Sequence, residues 1–406
     1  MDPSLLIWNS GRLGTHSTDI GPQWWNDPHG CISSRGVTCA TAGTSNRNLS
    51  AGISSPKGFE PAPSLQPELP RYTCTRPCSN LPGSIKTSTG AITVESLTSA
   101  DAHLKSETMS NTPAESWDCH VHVFDPARFP FRRDRAYTPS PAPVDSLQEN
   151  TQSTSIVLVQ ASPEDGHHGL VTQLREARED YPGTTFCASI MTEDTPERDV
   201  ARFSPASIDA LHALGVRSIR LQGSYNSFAS RADRLKAYLS TLARSYPVST
   251  CGWSISMQMD LAVWSAIHDF LADGQGGAGG ISPTVKLVAE HGACARPSDV
   301  GSREFQSFLA LLRTGRVYVK ISALYRRAPG NFRLMRDIVQ AYAQAAPERI
   351  LWGSDWPHVD ASKGGLEPTP HEPAADWRAE LDTIREWLTE QQFFNMLVTN
   401  PARLYH

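Results

Sequence analysis

Eight short apolar runs rich in β-branched, aromatic and sulfur-bearing residues recur between residues 116 and 356: SWDCHVHVF (116–124), SIVLVQAS (155–162), TTFCASIM (184–191), VRSIRLQG (216–223), WSISMQMD (253–260), TVKLVAEH (284–291), VYVKISAL (317–324) and RILWGSDW (349–356). Helical stretches separate or follow them at 168–180, 205–214, 232–245, 260–272, 303–314, 332–345 and 376–389. Strands that alternate with helices pair in parallel, because a parallel partner is reached only by a long crossover. Eight such strands with helices between them within residues 116–406 predict a (β/α)8 TIM barrel, whose functional groups stand at the C-terminal ends of the strands. A doubly wound open sheet would need a glycine-rich turn after the first strand. HVFDPARF is not one, and GQGGAGG (274–280) follows a helix, which makes it a surface loop.

The first 115 residues have a different character. Ser, Thr, Pro and Gly fill 51 of those 115 positions, with no sustained apolar period, so the segment buries too little to offset its ordering entropy and is expected to be disordered. The organisation expected is therefore a low-complexity extension over 1–115 and a barrel over 116–406. Trp24 and Trp25 are its aromatic pair, with chance occurrence the plainer reading than a docking motif, and Met109 offers a second possible start.

Net charge is −5 and no basic block could neutralise phosphates, which argues against nucleic acid. No run of 18 apolar residues spans a bilayer, and the N-terminus lacks a signal-peptide pattern. A cytoplasmic enzyme with a small-molecule substrate is expected, its oligomeric state unspecified. Eight scattered cysteines (31, 39, 74, 78, 119, 187, 251 and 294) follow no disulfide-scaffold or zinc-finger spacing and are expected as free thiols.

His120 and His122 stand one residue apart on the first strand, where alternation points both to one face. Other strand ends offer Arg220, Gln258, His291, Lys320 with Arg326 beyond it, and Asp355. A barrel brings all of these to one mouth, a convergence much harder to obtain by accident than any single polar residue.

DCHVHVFDP, VAEHGACARP, WGSDWPH and the closing LVTNPARLY, in that order, resemble the amidohydrolase superfamily. Within it the chain is most similar to the 2-pyrone-4,6-dicarboxylate lactonase branch, through FPF followed by Tyr137-Thr138-Pro139 and Val159 to Ser162. The resemblance covers 116–405. It implies a hydrolase opening a cyclic ester or related bond, with Asp355 as general base and His120, His122 and His291 polarising the carbonyl. It also implies substrate contacts from Tyr137, Arg220, Gln258 and Arg326, guanidinium groups being suited to carboxylates.

Strand four carries no metal-bridging lysine and strand five has Gln258 where histidine is usual, which argues against a binuclear centre. The expectation is a site without a cofactor; the alternative is one divalent metal, zinc or manganese, on His120, His122 and Asp355. SPEDGHHGL, with His167 and His168, and GSYNSF, with Tyr225 and Asn226 where the branch has a second arginine, depart from the branch. The substrate therefore stays open among a dicarboxylate, a monocarboxylate and a sugar-derived or aromatic lactone. Two rivals remain: a metal-dependent aromatic-acid decarboxylase of the same superfamily, and a catalytically inactive binding barrel.

Overall fold

A computed structural model describes residues 112–192, 202–221, 232–273, 280–361, 364–371 and 375–406. The expected disorder of 1–115 (save 112–115), Trp24, Trp25, Met109, the first four cysteines, Tyr225, Asn226 and most of GQGGAGG lie outside the described residues. Residues 112–115 already belong to the barrel's edge: the Thr154 hydroxyl donates to the Ala114 carbonyl and Ser116 N–H to that of Pro113.

Eight parallel strands form one sheet in chain order: β1 (Trp117–Val121), β2 (Ser155–Val159), β3 (Thr185–Met191), β4 (Val216–Leu221), β5 (Ser254–Met257), β6 (Leu287–Ala289), β7 (Val317–Ser322) and β8 (Ile350–Gly353). A parallel bridge between Val121 and Trp356 closes β8 onto β1, with His122 N–H donating to the Trp356 carbonyl and Asp355 N–H to that of His120. The ring is a (β/α)8 barrel, as the alternation predicts.

A helix follows each strand: α1 (Val144–Asn150), α2 (His168–Asp180), α3 (Pro205–Leu214), α4 (Ala232–Arg244), α5 (Leu261–Ala266), α6 (Arg303–Arg313), α7 (Arg336–Ala345) and α8 (Trp377–Trp387). Ser204, Asp260, Ser302 and Asp376 accept first-turn amides at the starts of α3, α5, α6 and α8, which fixes where these helices begin. In α6, Phe305, Phe308, Leu309 and Leu312 recur at helical spacing and are buried. The helix predicted over 260–272 divides at Ile267 (φ −107°, ψ 7°), a wholly buried β-branched residue, and a second segment runs His268–Ala272.

Outward-facing strand residues such as Ile156, Phe186, Ile219, Ile255, Val319 and Trp352 pack with the helices in one core. Inside the barrel, Trp117, Cys119, Val157, Val288, Tyr318 and Leu351 form a second apolar layer, plugged by Leu404 and Tyr405. Trp117 and Tyr405 stack with ring centroids 5.8 Å apart. The Asn400 side-chain amide donates to the Pro347 and Ile350 carbonyls, which anchors the last helix (Asn400–Tyr405) beneath β8. Among the described residues, apolar contacts fill the N-terminal end of the barrel, and the polar groups stand toward the strand C-termini. Among the described residues, no helix is long and apolar enough to cross a membrane and the four cysteines are free.

Candidate active site

Seven of the eight strands stop short of the apolar run that predicts them, β3 being the exception, and several of the residues left over carry the chemistry. His122, Gln258, Glu290, His291 and Asp355 all lie just past strand ends. Simple alternation does not describe β1: between Asp118 and Val121 its pairing with β2 gains one residue, a β-bulge. Cys119 joins the inner apolar layer and Val121 the outer core, yet His120 and His122 both face inward. The buried Asp118 carboxylate holds this distortion, accepting from His120 N–H at 3.1 Å and from Ser354 N–H at 3.0 Å. Burial raises its pKa to about 6 against those same hydrogen bonds. Gly353 is needed beside it, because a Cβ there would lie 2.5 Å from that of His120.

The centre of the mouth is one carboxylate oxygen. Asp355 Oδ1 lies 3.6 Å from His120 Nε2, 3.7 Å from His122 Nε2 and 4.0 Å from His291 Nε2. Each ring is oriented from behind through Nδ1. That of His122 donates to the Val159 carbonyl (2.6 Å), that of His291 meets Ser322 Oγ (2.8 Å), and that of His120 lies 3.5 Å from Lys320 Nζ and 3.8 Å from Glu290 Oε1. His120 Nε2, fully buried, has no hydrogen-bond partner.

Burial is the main cause that lowers the pKa of His122 and His291 to about 4 and of His120 well below its usual value, so all three are neutral near pH 7. Burial would raise the Asp355 pKa, but the Arg326 guanidinium and the imidazoles outweigh it and hold it at about 2. Arg326 Nε donates to Asp355 Oδ2 at 3.0 Å and its Nη2 to the Val359 carbonyl at 2.7 Å.

These residues fit a divalent ion. Donors bound tetrahedrally at about 2.0–2.1 Å stand roughly 3.3–3.4 Å apart, and the separations of 3.6–4.0 Å are near that and too long for hydrogen bonds. Neutral imidazoles fixed through Nδ1, with Nε2 turned to a shared point, are a ligand set supported from behind. His120, His122 and Asp355 form such a group; His120, Glu290 and His291 also bring ligand atoms within 4.8 Å of one another, but with Glu290 on the Nδ1 side of His120.

Beneath the imidazoles lies a buried ion network. Glu290 accepts from Arg220 Nε (2.8 Å) and from the Ser256 hydroxyl (2.7 Å), and Lys320 Nζ lies 3.5 Å away. Burial alone would raise the Glu290 pKa; Arg220 and Lys320 hold it well below the carboxylate range. Arg220, only 2% exposed, also donates to the Gln160 carbonyl and to Gln258 Oε1. The sequence suggested no acidic partner for Arg220, and folding supplies one 70 residues away. Glu290 and Lys320 each interrupt an otherwise apolar parallel strand run, which was the available signal for a buried pair.

Tyr137, Arg220, Gln258, His291, Arg326 and Asp355 all border one cavity of about 1240 Å³. Burial raises the Tyr137 pKa, opposed by a hydrogen bond with Ser162. Among the described residues, non-glycine residues at positive φ (His291, Ala293, Cys294, Ala323, Asp355 and His358, 49–63°) all follow β6, β7 or β8. Left-handed backbone at non-glycine residues costs roughly 1–3 kcal/mol each and persists where packing holds it; no sequence signal marks it.

The turn after β7 (Leu324–Arg327) is held by Glu380 of α8, whose carboxylate accepts from Leu324 N–H (3.1 Å) and Tyr325 N–H (2.8 Å). Burial raises its pKa to about 7. A folded pKa above the unfolded value favours the fold at low pH, and that contribution is lost as pH rises from about 4.5 through about 7. The stability of Glu380→Gln relative to the native chain should therefore improve from pH 5 to pH 8, on the order of 1–3 kcal/mol, on top of a constant cost for the lost acceptor. Thermal melts at the two pH values check it; an unchanging difference would contradict it.

The sequence profile of the amidohydrolase family matches residues 117–406. A 2-pyrone-4,6-dicarboxylate hydrolase of Comamonas testosteroni is 26% identical over 316 residues, covering 72% of this chain and 90% of that one. A 4-sulfomuconolactone hydrolase of Hydrogenophaga intermedia is 23% identical, covering 72% and 89%. Among solved structures, a probable 2-pyrone-4,6-dicarboxylic acid hydrolase of Acinetobacter baumannii aligns with a TM-score of 0.54 at 17% identity, over 72% of this chain and 99% of that one. The profile match runs from the first residue of β1 to the last of the chain and so takes in every strand end that supplies a side chain to the cavity: the chain belongs to the amidohydrolase family.

Proposed function

We propose that the chain hydrolyses a small, carboxylated lactone. The observation that carries this reading is the convergence of three neutral imidazoles on one ionised carboxylate oxygen at the base of a substrate-sized cavity. Relatives named as lactone hydrolases support the bond type. Water enters between Asp355 Oδ1 and the imidazoles, its oxygen attacks the ring carbonyl, and Asp355 takes the proton. His120, His122 and His291 surround the oxygen on which charge develops. The ring C–O bond then breaks, and the departing oxygen recovers the proton from Asp355 as a hydroxy acid or its tautomer. Tyr137 and Arg326 border the substrate side; Arg220 and Gln258, bonded to each other, set the wall behind it.

His120, His122 and Asp355, with His291 beside them, would hold a single zinc or manganese ion. Bound there, the ion would polarise the carbonyl and acidify the attacking water. This suits a carboxylate whose pKa of about 2 makes it ionised but weakly basic.

Turnover of a panel of acidic and neutral lactones, with ion content measured in parallel, tests the proposal. Hydrolysis is expected for acidic members. Because His122 and His291 stay neutral down to about pH 4, kcat/KM should hold through pH 6 and fall only near pH 4. An acid limb at the ordinary histidine value near 6.5, or no turnover across the panel, would sink it.

A further inference from the structure

The cations at the mouth differ in how far they are already committed. Arg220 is neutralised by Glu290, and Arg326 by Asp355, each through a direct hydrogen bond. Arg327 borders the same cavity, and among the described residues it has no hydrogen bond or ion pair. Its Nε is buried and without a partner. Its charge is felt at the imidazole next to Asp355: after burial and the two carboxylates Asp355 and Glu290, Arg327 is among the groups acting on His291, and it also acts on the thiol of Cys294. An orphaned guanidinium N–H that no water can reach is costly, and the Glu380 carboxylate fixes the turn that presents it.

We propose that Arg327 binds the substrate's anionic substituent and is the specificity-determining residue of this site. The proposal rests on the lactone-hydrolase reading and deepens it. Arg220 and Arg326 each already carry a carboxylate, and Arg296, at the rim of the same cavity, is exposed; Arg327, half-buried with an unpartnered Nε, is the guanidinium on the His291 side whose charge a substrate anion would neutralise. The substrate class that fits is a lactone with a single carboxylate or sulfonate there, rather than two anions gripped on opposite sides.

The test compares the native enzyme, Arg327→Met and Arg327→Lys on a 2-pyrone bearing one carboxylate and on its carboxamide. Calorimetric binding of benzoate and benzamide is measured alongside. Losing a hydrogen bond to a charged group should lower the carboxylate-to-carboxamide ratio of kcat/KM about 10- to 150-fold in Arg327→Met. The benzoate-to-benzamide affinity ratio should fall in the same direction, and Arg327→Lys should restore part of both. Melting temperature verifies that the Met variant is folded. If neither pyrone is turned over but the benzoate preference still depends on Arg327, the lactone reading fails and the anion site stands. If Arg327→Met leaves the binding ratio unchanged, or no preference for benzoate exists in the native chain, the anion site is overturned whatever the turnover.

Discussion

Asp355→Asn is expected to fold and to lose hydrolysis by about 10²–10⁴-fold, the usual contribution of a positioned general base. The amide keeps the shape of the side chain, but it neither accepts the water's proton nor carries the charge that three neutral imidazoles face at 3.6–4.0 Å. The loss should appear in kcat and kcat/KM together, because the interaction belongs to the transition state. Arg326, which keeps Asp355 ionised through a 3.0 Å hydrogen bond to Oδ2, still finds the Val359 carbonyl in the variant, so the turn should hold. Steady-state kinetics with a circular-dichroism melt is sufficient to check this. A folded variant that keeps more than a tenth of native activity removes Asp355 from the reaction.

The second large effect is on stability. Glu290→Ala should destabilise the barrel by about 3–5 kcal/mol, because it leaves two buried cations, Arg220 and Lys320, without their shared carboxylate. For a domain of this size that lowers the melting temperature on the order of 10 °C. A triple variant that also makes Arg220 and Lys320 apolar should recover part of the loss, since removing a whole buried ion network is far less damaging than removing one member. Equal melting temperatures for Glu290→Ala and the native chain would mean that water reaches the network and that its burial is not what sustains it.

Arg220 is thus a structural cation that also borders the cavity, and its replacement should act on stability before it acts on substrate affinity. The reason is a distance in sequence: Arg220 and Glu290 sit on β4 and the end of β6, and only the closed ring of strands brings them to 2.8 Å. Sequence neighbours could not reveal a partner 70 residues away.

Much of the architecture was legible because hydrophobic periodicity is local. Eight β-rich runs and the intervening helical periods were enough to specify a parallel (β/α)8 ring, and the helices over 168–180 and 205–214 begin and end where their patterns do. His120, His122, His291 and Asp355 were legible as a group, because strand-end position in such a ring implies one mouth. Whether the first 115 residues order themselves was read from composition alone. Tertiary structure decided what depends on contacts between strands. It set the bulge that turns His120 inward beside Cys119, the Asp118 carboxylate that holds it, the left-handed backbone after β6 to β8 and the pairing of Arg326 with Asp355. It also decided that Arg220 and Arg326 carry a carboxylate counterion at the mouth. Local pattern determines which residues reach the mouth, whereas charge pairing there is a property of the closed barrel, in which low dielectric makes each buried ion depend on groups that the chain brings together only by folding.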